Sequence, residues 1–273
     1  MFRTCPTDIV CVSTYPPSHE LVTLAALKLA LKAILVEKPL GHSVASGRRI
    51  LEAVKQRRIP MAVPHGLMVK RCPLEIIGRT KAGIHWLNFA VNLNGQSPAH
   101  SVLSACDKTT QTFRDGMQVE TVAVTYVQMV NGVRIVMQTG DTIRSNGRRD
   151  ETTFRIIGTA GQIEFWGWHP DYYLFNADHP KGKLIAPAEE ATSLHQRHLE
   201  NLLPMIAAGE PDYSLPESSL TALEICEAAY LSARHGVEVK LPLDQFEIPA
   251  PNDWEPGEPY VSGECGRDGG KLS

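Results

Sequence analysis

Asp8-Ile-Val-Cys-Val-Ser-Thr-Tyr-Pro-Pro-Ser-His19, an apolar run from Leu21 to Leu31, and then Ala33-Ile-Leu-Val-Glu-Lys-Pro39 decide the fold of this chain. Ile9 to Val12 is a short apolar run closed by Ser-Thr-Tyr-Pro-Pro, which is how a buried strand ends. Pro16 and Pro17 are expected to stay outside a helix, leaving Ser18 to cap it. From His19 to Lys32 the residues are strong helix formers, with Leu21, Leu24, Ala25, Leu27, Ala30 and Leu31 at helical spacing. Ile34 to Val36 is a second strand. Strand, helix and strand at this spacing predict a βαβ crossover with two parallel neighbours. Glu37 and Lys38 then fall at the carboxyl end of the second strand, where open α/β sheets bind ligands.

Downstream, Ser43 to Arg57 reads as the next crossover helix, capped by Ser43, with Ile50, Leu51 and Val54 facing inward. Pro60 to Val63 reads as a third strand, which His65 and Gly66 end. Upstream there is little: only seven residues precede Asp8, whereas a further βαβ unit takes about 30 or more. No G-x-G-x-x-G occurs anywhere in the chain. The nearest imitation, Gly263 to Gly270, sits in a polar tail with no Ser or Thr after Lys271 in the place a phosphate loop needs one.

The Thr-Tyr-Pro-Pro loop with His19, the leucine- and alanine-rich helix, and Val36-Glu-Lys-Pro-Leu40 resemble the second half of the nucleotide-binding domain of the glucose–fructose oxidoreductase / inositol dehydrogenase (Gfo/Idh/MocA) family. Gly83-Ile-His-Trp-Leu-Asn88 is similar to the family's D-x-G-x-H-x-x-D segment, with Lys81 and Asn88 standing where the family has acids. Ile157-Gly-Thr-Ala-Gly161 and the closing helix and strand, Ala222 to Pro242, add to the likeness. It implies a nicotinamide-dependent oxidoreductase of a sugar, polyol or related hydroxy compound, with NAD or NADP as cofactor. Lys38 would lie between nicotinamide and substrate, and His85 would face the same carbon from the second domain. The resemblance assigns Ser13, Tyr15, Pro16, His19 and Glu37 to the cofactor, together with Lys38, and gives His65, Lys81 and Asn88 to the substrate. In that family the Gly-rich loop and an acidic ribose ligand precede this point. Either the chain is a truncated product or it has lost half of its dinucleotide site, and reduced cofactor affinity is expected.

Ile84, Leu87 and Val91 lie at i, i+3 and i+7, as do His85, Asn88 and Asn92, so one helix carries an apolar stripe beside a polar one. From Val102 the pattern turns to β. Val119 to Val130 alternates, and Asn131-Gly132 is a hairpin turn into Val133 to Gln138. Thr152 to Ile157 and Gln162 to Trp166 form a second pair. Trp166, Trp168, Tyr172 and Tyr173 suit sheet packing better than sugar stacking. His195 to Ala208 reads as an amphipathic helix with Leu199, Leu202, Leu203 and Ile206 on its apolar side. His195 and His198 on it have no acidic or cysteine partner of metal-site type and read as surface residues. A last helix runs from Pro216 to about His235.

These readings predict an incomplete Rossmann-type parallel sheet, then an open, mainly antiparallel sheet with helices on one face. The expected divisions are 1–66, 67–243 and a polar, Pro/Gly-rich tail at 244–273. Net charge is −3, with basic residues scattered, which argues against nucleic acid as a partner. The six cysteines show no C-x-x-C spacing, and the start lacks the apolar core of a signal peptide. The run from Leu21 to Val36, interrupted by Lys28 and Lys32, is too short to span a bilayer. A cytoplasmic homo-oligomer, paired through the open sheet face, is the expectation.

Overall fold

The computed structural model describes residues 7–65, 83–106, 111–114, 117–120, 122–140, 153–166, 171–186 and 194–243. Its first unit is a three-stranded parallel sheet in the order β1 (Ile9–Val12), β2 (Ala33–Val36), β3 (Met61–Ala62). The register runs Ile9 to Ala33 and Val12 to Val36, then Ile34 to Met61 and Leu35 to Ala62. β2 is buried along its whole length because both of its faces are covered. Ile34 and Val36 pack with Val10, Val12, Ile50, Leu51 and Val54. Ala33 and Leu35 face Leu202 of helix α4 (Leu194–Ala208) instead.

The two crossover helices are α1 (Pro16–Ala26) and α2 (Val44–Gln56). α1 begins two residues before the expected cap: Tyr15 is its N-cap, and the prolines occupy the first turn. The missing proline N–H is harmless there, because first-turn donors have no intrahelical acceptor anyway. Nor does α1 bury Leu21 and Leu24, which are exposed; it turns His19, Thr23, Ala26 and Leu27 inward, at i, i+4, i+7 and i+8. α2 is capped as expected, the Ser43 hydroxyl accepting from Ser46 N–H at 3.2 Å.

The second part is antiparallel. β4 (Ala99–Cys106), β7 (Val122–Met129) and β8 (Arg134–Gly140) join the short β13 (Val239–Lys240) in the order β13-β4-β7-β8. Asn131-Gly132 makes the β7–β8 turn, with Gly132 at φ 87°, a region that favours glycine. β9 (Thr153–Gly158), β10 (Gly161–Trp166), β11 (Tyr172–Asn176) and β12 (Lys183–Ile185) form a second four-stranded sheet in the order β12-β11-β10-β9. Gly161, at φ 153°, is forced: a Cβ there would lie 2.2 Å from the Phe175 carbonyl oxygen. β5 (Gln111–Arg114) and β6 (Met117–Glu120) make a separate hairpin.

Two helices close this part, α3 (Gly83–Leu93) and α5 (Ser214–His235). Leu87 and Val91 of α3 pack with Ala222, Ile225 and Ala228 of α5 over Val102, Val127 and Met129. Trp86 and Phe89 serve the other sheet, joining Phe165 and Tyr172, with Phe154 stacked 4.8 Å from Phe165. Tyr172 is therefore a core residue, as its strand context implied. α4 departs from its expected amphipathic face: Leu202 is buried, but Leu199 and Leu203 are exposed. His198, read from sequence as a surface residue, is 2% exposed. Residues 244–273, with the Gly263–Gly270 run, lie outside the described residues, as does Trp168.

Candidate functional site

The carboxyl ends of β1 and β2 carry most of the candidate residues. Ser13 and Tyr15 are exposed there, while Pro16, Glu37 and Lys38 are half-buried. Glu37 bends back so that its Oε2 accepts the Lys38 backbone N–H at 2.9 Å. Among the described residues the Lys38 ammonium meets no carboxylate, so its charge remains available to a ligand. The Lys38–Pro39 peptide bond is cis.

His19 has a different part. It is fully buried, and its Nδ1 and Nε2 lie 2.9 and 2.8 Å from the carbonyl oxygens of Pro39 and Thr14. Those carbonyls belong to the two loops that end β1 and β2. The imidazole thus ties the loops together and has no surface left for a cofactor.

Opposite Pro39 lies α3. Leu87 on this helix and Pro39 line one cavity of about 260 Å³, together with residues of α5, β4, β7 and β8. The loop carrying Lys38 and the helix carrying His85 therefore meet at a shared hollow. The His85 side chain and all of Lys81 lie outside the described residues. Asn88 is 1% exposed and faces α5 rather than the hollow, its Nδ2 donating to Ser218 Oγ at 3.0 Å. Asn92 Nδ2 donates to the same hydroxyl at 2.8 Å, and Ser218 passes its own proton to the Leu215 carbonyl. The polar stripe of α3 is thus consumed, over these two residues, in fastening two helices. His65, at the end of β3, is 2% exposed with Nε2 2.8 Å from Ser219 Oγ, so it too reaches the start of α5.

The site has a second half that no local pattern announced. Glu227 of α5, 4% exposed, accepts the Val44 N–H at 2.6 Å and so caps α2 from across the molecule. Burial pushes its carboxyl up to about 7; the Val44 hydrogen bond and Arg48 oppose this, and Glu224 adds to it. Glu217 and Glu224 on the same helix pair with Lys55 and Arg48 of α2. The spacing Glu217, Glu224, Glu227 along one helix edge was the available signal.

A pyrophosphate group is best held by free N–H donors at a helix start. In the parallel unit neither helix provides them. α1 opens on two prolines, and the start of α2 is filled by Ser43 and the Glu227 carboxylate. Among the described residues no cluster of three or more His, Cys, Asp or Glu could hold a metal ion. No described helix is long and apolar enough to cross a membrane.

Known proteins match this chain in part of its sequence and in its fold. Residues 1–65 match the GFO_IDH_MocA model, described as an oxidoreductase family with an NAD-binding Rossmann fold. No curated protein matches the sequence. Among solved structures, aldose-aldose oxidoreductase from Caulobacter crescentus, complexed with glycerol, is 20% identical over 88% of this chain and 81% of its own, at a TM-score of 0.70. A levoglucosan dehydrogenase in complex with NADH and levoglucosan is 17% identical over 86% of this chain and 80% of its own, at 0.68. An inositol dehydrogenase homolog from Azotobacter vinelandii, complexed with NADH and myo-inositol, is 15% identical over 86% and 78%, at 0.67. At these identities the likeness is one of fold. By sequence over residues 1–65 and by fold over the described chain, the protein is similar to the Gfo/Idh/MocA oxidoreductases.

Proposed function

We propose that this chain is an NAD- or NADP-dependent oxidoreductase acting on a hydroxyl of a sugar, polyol or related hydroxy compound. The observation that carries the reading is the shared hollow. A lysine with no carboxylate partner among the described residues stands at the end of a parallel strand, and the adjacent Pro39 and the histidine-bearing helix α3 line the same cavity. Oxidising an alcohol requires removal of both a proton and a hydride. The nicotinamide, when bound, supplies the hydride acceptor. Lys38 takes the hydroxyl proton at Nζ, beside Pro39 of the cavity lining. Ser13, Tyr15 and Pro16 flank the nicotinamide side, and Glu37 fixes the loop through the Lys38 N–H. His85 and Lys81 are assigned to the substrate by the family resemblance, and Asn88 and His65 act indirectly, by holding α3, β3 and α5 together. His19 does the same for the two loops.

The absence of a phosphate cradle among the described residues supports weakened cofactor binding. Charge-assisted hydrogen bonds are worth about 1.5–3 kcal/mol each. Three of them missing removes at least about 4.5 kcal/mol, roughly three decades in affinity. We further propose that residues 1–66 form the nucleotide part, 67–243 the substrate and dimerisation part, and 244–273 an extended tail. Pairing of copies would use the outer face of the β4-β7-β8 sheet, where Leu103, Val124 and Val136 are exposed. That face also favours a second reading, a non-catalytic dimeric module on the same fold.

Titrating NADH and NADPH against the chain, followed by nicotinamide fluorescence, separates the two. Binding in the micromolar to low millimolar range with turnover of a sugar, polyol or related hydroxy compound supports the enzyme. Absence of binding at millimolar cofactor ends that reading for this chain and leaves the module.

A further inference from the structure

We propose that the cavity between Pro39, α3, α5 and the β4-β7-β8 sheet seats an apolar group of the substrate, an alkyl or aryl substituent next to the carbon that is oxidised. This rests on the reading of Lys38 and the hollow given above, and it narrows the substrate to hydroxy compounds carrying such a group. At about 260 Å³ the cavity exceeds the ~150 Å³ that suffices to hold benzene, so a group of about six heavy atoms fits.

The lining decides what enters. Leu87, Met137, Leu223 and Ala229 are apolar walls. Two hydroxyls on the sheet side are already spent. Ser104 Oγ donates to the Val124 carbonyl at 3.1 Å, and Thr125 Oγ1 lies 2.9 Å from Ser104 Oγ, so Thr125 gives its hydrogen to Ser104. Neither has a donor left for a ligand. Thr139 and Tyr230 supply the remaining hydroxyls of the lining. Cys106 and Cys226 also line it, and sulfur is a soft neighbour that favours hydrocarbon and aromatic surface. A ring hydroxylated on every carbon would turn hydroxyls against Leu87, Met137, Leu223 and Ala229, where they find no partner, each one stranded there lowering affinity by about fivefold or more.

The two thiols are also reporters. Both are half-buried in the cavity, while Cys11, exposed at β1, lies outside it and serves as an internal control. The full chain is alkylated with iodoacetamide, alone or with benzyl alcohol or myo-inositol at equal concentration, and each cysteine is followed by mass spectrometry. At four times its dissociation constant, benzyl alcohol leaves about one fifth of the sites empty, so alkylation of Cys106 and Cys226 slows about fivefold while Cys11 is unchanged. Myo-inositol leaves all three rates unchanged. Protection by myo-inositol, or none by benzyl alcohol, overturns the proposal. So does complete resistance of both thiols in the free protein, because a cavity that admits no reagent admits no substrate. The readout needs no cofactor: failed nicotinamide binding would remove the enzyme reading and leave the cavity's preference standing, and the reverse holds too.

Discussion

Lys38 is held in place by its neighbours rather than by a partner of its own. Glu37 grips its backbone N–H, and His19 braces the carbonyl of Pro39 next to it. Lys38→Met removes the proposed proton acceptor and leaves these supports alone, so turnover should fall by about 10²–10⁴ with folding intact. Steady-state rates beside a thermal melt check this; an unchanged rate would remove Lys38 from the chemistry. His19→Phe tests the brace. It leaves the Thr14 and Pro39 carbonyls without their buried partner, at about 1–3 kcal/mol for each group stranded, which urea unfolding measures. At this scale the sequence displayed Lys38 clearly, because strand-end position follows from local pattern alone. The burial of His19, Asn88 and His65 was not legible. Their partners, Pro39, Ser218 and Ser219, lie 20, 130 and 154 residues away.

Between elements, the contact that matters most is α2 against α5. Gly41 and Gly47 sit where the two helices and the Lys38 loop converge. A Cβ on Gly41 would lie 2.7 Å from Gly47 N and 2.9 Å from Ser46 Oγ, backbone and short side chain that cannot swing away. Gly41→Ala should therefore destabilise by about 1–3 kcal/mol. Gly47→Ala meets only the mobile Leu220 Cδ1 at 2.9 Å and should cost less in the same unfolding assay. Glu227 makes this contact sensitive to pH. Its carboxyl ionises at about 7 in the folded chain against an ordinary 4.5. Between those values the folded state holds a proton that the unfolded chain has released. The stabilisation is fully present below about pH 4.5 and is lost as pH rises toward 7, with no further change from this group above it. Glu227→Gln keeps an acceptor for Val44 N–H and removes the titration, so its melting temperature should fall less than the wild type's between pH 5 and pH 8. Equal slopes would show that Glu227 is ionised throughout. The Glu217, Glu224, Glu227 spacing marked a helix edge but not a buried acid, since an acid amid a helix reads as solvated. Even α1 was misread at its start, where two prolines that break a helix interior are at ease in a first turn.

For the whole molecule, the pattern of alternation placed the β7–β8 and β9–β10 pairs but not β5, β11 or β12, and the Asn131-Gly132 turn fixed the register of Gln128 against Arg134. What alternation could not say is that the strands divide into two sheets with α3 spanning both. That depends on Trp86 and Phe89 leaving one side of α3 while Leu87 and Val91 leave another. Among the described residues nothing covers the outer face of β4-β7-β8. Leu103, Tyr126 and Val136 stand opposite one another across its three strands, with Val124 in the next row. Leu103, Val124 and Val136 are 48%, 43% and 72% exposed and form one apolar patch on this face. In a two-fold pair each of these residues meets the same patch again, so one substitution acts twice. Val136→Lys would bring ammonium groups together on a dry apolar face, where like charges cost several kcal/mol. The dimer's dissociation constant should rise by about 100-fold or more, read by sedimentation velocity over a concentration series. Cofactor titration should not change, because Val136 lies on the solvent side of the sheet, away from the cavity. A wild-type chain that sediments as a monomer at every concentration would leave this face without a partner copy.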